Sequence, residues 1–135
     1  MDAKLSDRSK GAKPPLTIRI LIADDGLSSR DLLRYILESS GYEVAEARDG
    51  VQVLEKASAF EPHLMILDLQ MPRLDGYATA TALRKIPAFE KTPIIALTAA
   101  FSDSVPERIV EAGFTGYLAK PIGPAQLRGY ITSLL

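Results

Sequence analysis

From Leu16 onward, short oily runs alternate with longer amphipathic stretches. TIRILIA (17–23), HLMILD (63–68), PIIALT (93–98) and TGYLAK (115–120) predict strands. The second, the third and to a lesser degree the first are apolar at both parities. Such a strand is buried on both faces, as in a parallel sheet covered by helices. YEVAEA (42–47) alternates more and predicts an edge strand.

Helical patterns fill the gaps. Leu27–Ser40 places Leu32, Leu33, Ile36 and Leu37 on one apolar face and stops at Gly41, a natural left-handed cap. Asp49 with Gln52 resembles a capping box opening a helix to about Ala59. Asp75-Gly76 starts a third helix that directs Ala78, Ala82, Leu83 and Ile86 to the core and is stopped by Pro87. Ser104 and Glu107 frame a capping box around Pro106, and that helix runs to Ala112 before Gly113. Pro124 opens the last helix, with Leu127, Tyr130, Ile131 and Leu134 inward. Five βα units predict an α/β fold, an open parallel sheet with right-handed crossovers.

Composition sets the bounds. The 135 residues suit one domain. Residues 1–15 are charged, contain Gly and Pro, and lack aliphatic density, so they predict a flexible N-terminal tail ahead of a domain over 16–135. With no cysteine there is neither a disulfide framework nor a thiolate metal site. A net charge of −1 gives no basic field for nucleic acid or anionic membrane. No apolar run spans a bilayer, and no secretory h-region follows the N-terminus, so the expected compartment is the cytoplasm.

The candidate chemistry lies at the strand ends. The first predicted strand runs into Asp24-Asp25, the third ends at Asp68, the fourth at Thr98 and the fifth at Lys120. Open α/β sheets bind ligands beyond the carboxyl ends of their strands, where strand order reverses. Carboxylates gathered there repel: two of them about 5 Å apart cost roughly 3 kcal/mol at an effective dielectric of 20. A cation must offset this, and hard carboxylate oxygens suit Mg²⁺. Carboxylates, metal, ammonium and hydroxyl together suit a phosphoryl group. No Ser or Cys accompanies them at a strand end, so one carboxylate must be the nucleophile.

ILIADDG, LMILDLQMPRLDG, PIIALTA and GYLAKP together resemble the receiver domain of two-component response regulators. The resemblance covers about residues 17–135, with four motifs in order. It implies a doubly wound five-stranded parallel sheet of order 2-1-3-4-5 with helices on both faces. It implies that Asp68 is the phosphoacceptor, taking its phosphoryl group from the phosphohistidine of a histidine kinase or histidine phosphotransfer protein. By the same resemblance Asp24 and Asp25 hold Mg²⁺ with Asp68, and the backbone carbonyl of Gln70 completes the protein ligands. Thr98 is the switch hydroxyl, Tyr117 the switch aromatic that turns inward, and Lys120 the phosphoryl-binding lysine. The Lys120–Pro121 bond is commonly cis in the family.

Phosphorylation then changes the surface offered to a downstream protein, with no direct contact to nucleic acid or membrane. The kinase-side partner is expected near the first helix and the loop 121–124. Thr115-Gly116 stand where many DNA-binding relatives carry acids used in dimerisation, so a monomer or weak dimer is expected. Gln70 and Ala99 flank the expected path of hydrolytic water. His63 precedes a strand at the opposite edge and is structural.

Other classes are weighed against this. A module of a hybrid histidine kinase or larger regulator, and a phosphorylation-independent binding module, share the fold. An aspartyl phosphatase of the haloacid-dehalogenase type would want an acid at position 70, which is Gln70. A flavodoxin-type flavin binder would want a phosphate loop where ADDGLSSR places acids.

Overall fold

The computed structural model describes residues 17–99 and 105–135; the predicted tail 1–15, Leu16 and the cap Ser104 lie outside the described residues. The apolar runs form the strands β1 Arg19–Ala23, β2 Glu43–Ala47, β3 Leu64–Asp68, β4 Ile94–Thr98 and β5 Gly116–Ala119. Helices α1 Leu27–Ser39, α2 Gly50–Phe60, α3 Gly76–Arg84, α4 Val105–Ala112 and α5 Pro124–Leu134 alternate with them. The sheet is parallel throughout, in the order β2-β1-β3-β4-β5. Every residue of β3 and β4 is buried, which is why these runs are apolar at both parities.

Alternation along the strands divides the core in two. Leu21, Met65, Leu67, Ile94 and Ala96 pack beneath α2, α3 and α4. Ile20, Ile22, Leu64, Ile66, Ile95 and Leu97 pack beneath α1 and α5. β2 is an outer strand, as its alternation predicts. Its edge is guarded from α2: Lys56 Nζ donates to the Glu46 carbonyl at 2.6 Å, and Gln52 Oε1 accepts from the Arg48 N–H at 3.0 Å. Side chains on those groups compete with strand addition.

Helix ends follow the predicted chemistry. Asp49 accepts from the Gln52 N–H at 2.9 Å and Asp75 from the Ala78 N–H at 2.9 Å, each satisfying an orphan donor of its helix. Gly41 and Gly113 take positive φ after α1 and α4. Two predicted faces need correction. Leu32 is 57% exposed, because α1 buries Leu33, Ile36 and Leu37 instead. Ala78 is exposed, because the inward row of α3 is Gly76, Thr79, Ala80 and Leu83. Pro87 opens a short 3₁₀ turn, Pro87–Phe89, after α3.

Two packing details give measurable expectations. Gly50 begins α2 where an added Cβ would stand 1.9 Å from Thr79 Oγ1 and 2.5 Å from the Leu74 carbonyl oxygen. Gly50→Ala is therefore expected to cost about 1–3 kcal/mol of stability by overpacking, read from urea unfolding. An unchanged midpoint would show that α2 and α3 separate freely. The Arg84 guanidinium donates to the carbonyls of Gly113 (2.8 Å), Phe89 (2.8 Å) and Thr92 (2.6 Å). It ties α3 to the segment entering β4 and the turn entering β5. Arg84→Met keeps the stem but strips the donors, and is expected to lower stability by about 2–3 kcal/mol. A loss below about 0.5 kcal/mol in the same unfolding assay would contradict that role.

Candidate functional site

Strand order reverses between β1 and β3, which pair directly, with Ala23 opposite Leu67. Asp24 and Asp68 are each one residue further on, so they face one crevice from adjacent strands. β4 delivers Thr98 and the residue after β5 is Lys120, whose N–H donates to the Thr98 carbonyl at 2.9 Å. The expected strand-end residues therefore share one edge.

The side chains meet there. Lys120 Nζ donates to Asp24 Oδ2 at 2.9 Å and to Asp68 Oδ2 at 2.7 Å. The other oxygens are also held: Gly26 N–H reaches Asp24 Oδ1 at 2.8 Å, and Gln70 N–H reaches Asp68 Oδ1 at 3.0 Å. Asp24, Asp68 and Thr98 are buried, whereas Asp25 is exposed. Carboxylate oxygens of Asp24, Asp25 and Asp68 lie within 4.8 Å of one another. Gln70 lines a cleft with Asp25, Pro72 and Arg108. The Lys120–Pro121 bond is cis.

Charge is strained in this crevice. Burial pushes the Asp68 carboxyl above its usual range, and neighbouring Asp24 adds to that. Hydrogen bonds from Lys120 and the Gln70 N–H pull the other way without overcoming burial. For Lys120, burial disfavours the ammonium, but its bonds to Asp68 and Asp24 outweigh burial and raise its pKa. An anionic pocket with one ammonium is short of positive charge, which suits a cation bound by oxygen ligands.

The loops around the crevice are fastened by residues that sequence reading missed. Arg73, at φ 66°, donates to Asp49 through Nε at 2.9 Å and Nη2 at 3.1 Å. This fork ties the loop after β3 to the start of α2, and Gly50 N–H adds a bond to the Leu74 carbonyl at 3.2 Å. Arg30 Nη1 reaches the Asp24 carbonyl at 2.7 Å, and its Nε reaches Glu46 Oε1 at 3.2 Å. Neither arginine stands at a strand end, so position along the chain offered no signal for them. Tyr117 is 39% exposed, on the outer strand β5. His63 lies at the opposite edge, where its Nδ1 accepts from the Arg19 N–H at 2.9 Å. Beside the crevice, Leu33, Ile36, Pro121 and Ile122 line an apolar cleft of about 380 Å³. Among the described residues no helix is long and apolar enough to cross a membrane.

Comparisons with known proteins agree with this geometry. Residues 20–132 match the family described as the response regulator receiver domain. The response regulator MprA of Mycobacterium ulcerans is 39% identical over 122 residues, covering 89% of this chain and 51% of that protein. The cyclic di-GMP phosphodiesterase response regulator RpfG of Xanthomonas campestris is 34% identical over 125 residues, covering 91% of this chain and 33% of that protein. The chain thus spans about half the length of the first relative and about a third of the second. Among solved structures, the chemotaxis protein CheY4 of Vibrio cholerae superposes with a TM-score of 0.86 at 32% identity, covering 89% of this chain and all of that one. The receiver domain of the sensor histidine kinase PA1611 from Pseudomonas aeruginosa, solved with magnesium in its active-site cleft, gives a TM-score of 0.82 at 30% identity, covering 88% of this chain and 98% of that one. Sheet order, the polar strand ends and these matches agree: the chain belongs to the response regulator receiver domain family.

Proposed function

We propose that this chain is a phosphorylation-controlled switch that accepts a phosphoryl group on Asp68, with Mg²⁺, and then changes the partner it binds. The observation that carries this reading is the bridge of Lys120 to both Asp24 and Asp68 at the sheet's switch point. The donor set fits Mg²⁺: three clustered carboxylates, hard oxygens only, and the Gln70 backbone carbonyl as the proposed further ligand. When bound, Mg²⁺ supplies positive charge to the acid cluster and to the phosphoryl oxygens.

The rest is the work of the chain. An Asp68 oxygen attacks phosphorus in line, and the bond from phosphorus to a partner's imidazole nitrogen breaks, its electron pair leaving with the ring. Lys120 stays beside the acceptor and receives the developing charge on the phosphoryl oxygens. The Thr98 hydroxyl donates to one of those oxygens, and Tyr117 moves inward behind it. This biases two pre-existing states of the α4–β5–α5 surface. In the starting state the Arg108 guanidinium carbon of α4 lies 3.9 Å from the centroid of the Tyr77 ring of α3, a contact that links the two helices. Gln70 and Ala99 flank the route of the water that removes the group.

The donor is a histidine kinase or histidine phosphotransfer protein, and the compartment is the cytoplasm. Docking beside α1 and the loop 121–124 is supported by the apolar cleft there and by Leu27 and Tyr35, which are 64% and 72% exposed on α1. A second reading, a relay module of a hybrid histidine kinase, is favoured by the PA1611 receiver. It is also favoured by a histidine kinase receiver from Syntrophus aciditrophicus, at 31% identity and TM-score 0.82 over 88% of this chain and 90% of that one.

Intact-mass analysis tests the switch. Incubation with Mg²⁺ and acetyl phosphate is expected to add one phosphoryl group, and a chelator present from the start is expected to prevent it. No uptake from acetyl phosphate or from a phosphorylated histidine phosphotransfer domain would overturn the reading.

A further inference from the structure

Asp24 is held at every polar group. Its N–H donates to the Ala47 carbonyl at 3.2 Å, its two carboxylate oxygens accept from Gly26 and Lys120, and its carbonyl accepts from Arg30. Asp25 is different. It is exposed, and its carboxylate has no hydrogen-bond partner among the described residues. What the chain fixes for Asp25 is the Cβ from which its carboxylate reaches, and that depends on the backbone, beginning with the planar peptide that joins the Asp24 carbonyl to the Asp25 N–H. The side chain that fixes that plane is Arg30, through the 2.7 Å bond from Nη1.

We infer that Arg30 is a positioning residue for the Mg²⁺ site: anchored by Glu46, it clamps the Asp24–Asp25 peptide and so aims the Asp25 carboxylate. The inference rests on the Mg²⁺ reading above. Three observations carry it. The Arg30 side chain is only 11% exposed, so its fork is held rather than floating. Nε points to Glu46 on β2 while Nη1 points to the strand end, so one planar group spans two acceptors. Glu46 is itself gripped from behind by Arg34. A lysine ammonium has the charge but not this fork.

Charge and position predict opposite results. A cation beside an acid cluster opposes Mg²⁺, so deleting Arg30 would tighten metal binding if charge alone mattered. Positioning predicts weaker binding. The test is Mg²⁺ titration of the full unphosphorylated chain, followed by the Gly26 amide resonance, with thermal unfolding as the folding control. Arg30→Met and Arg30→Lys are both expected to weaken Mg²⁺ by about 10-fold or more, the usual range for residues that orient ligands. Glu46→Gln, whose amide oxygen still accepts from Nε, is expected to bind near wild type. Glu46→Ala is expected to weaken binding but to add nothing to Arg30→Met. Unchanged or tighter binding in Arg30→Met, or wild-type affinity in Arg30→Lys, would overturn the inference alone. A wild-type chain that binds no Mg²⁺ would instead overturn the metal reading, and this inference with it.

Discussion

Asp68→Asn is expected to take up no phosphoryl group from any donor. The carboxamide has no anionic oxygen to attack phosphorus, although its Oδ1 can still accept from the Gln70 N–H. In metal-free protein the same change is expected to raise stability at pH 7. Burial holds the Asp68 carboxyl above its usual range, so between its unfolded and folded pKa values the folded chain binds more protons than the unfolded one. Stability therefore falls as pH rises through that window, and the cost is fully present above it. Asparagine does not titrate, so the variant escapes the cost. The expected gain is on the order of a few degrees in Tm at pH 7, vanishing once the pH falls below the ordinary carboxyl pKa of about 3.9. Thermal scans of both proteins in a chelating buffer at both pH values check it. A variant less stable at pH 7 would mean that the Lys120 pair outweighs burial.

Lys120→Met is expected to separate metal binding from phosphoryl transfer. The ammonium touches Asp24 and Asp68 and no other described carboxylate. Removing it leaves three clustered carboxylates with one fewer counter-charge, which favours a divalent cation. Mg²⁺ affinity should hold or improve. Uptake of the phosphoryl group should slow by about 10²–10³-fold, the usual loss when a fixed positive partner of transition-state charge is removed. The folded chain also loses a pH-dependent contribution. Lys120 has a raised pKa, so its pairing stabilises fully below the unfolded lysine value of about 10.4 and fades as pH rises through the folded value. Stopped-flow uptake and a Mg²⁺ titration on one preparation check both halves. Parallel losses in affinity and rate would assign Lys120 a role in building the metal site instead.

What could be read from the chain follows from where each constraint lives. Leu64–Asp68 and Ile94–Thr98 are buried on both faces, and that leaves a mark in every residue. Asp24, Asp68, Thr98 and Lys120 stand out because each interrupts or follows an apolar run, and one topological rule sends all four to the same edge. The caps at Asp49 and Asp75 are local and equally legible. Leu32 and Ala78 fall outside the buried rows of their helices because spacing defines a helical stripe only to within a residue or so. The sheet decides how α1 and α3 rotate against it. Arg30 and Arg73 escaped notice for a different reason. Their partners are Glu46 and Asp49, 16 and 24 residues away, and an arginine on a helix or in a loop is ordinarily solvent-facing. Such guanidinium clamps become visible only when three dimensions bring both ends together.

The most direct test of the central claim is the chemical identity of the phosphorylated residue. Borohydride reduction of the protein, after incubation with Mg²⁺ and acetyl phosphate, converts an aspartyl phosphate to homoserine. Peptide mass mapping then locates it. The account predicts one homoserine, at position 68, absent when Mg²⁺ is chelated. Homoserine at position 24 or 25, or a phosphoryl group that survives reduction on another residue, would contradict it.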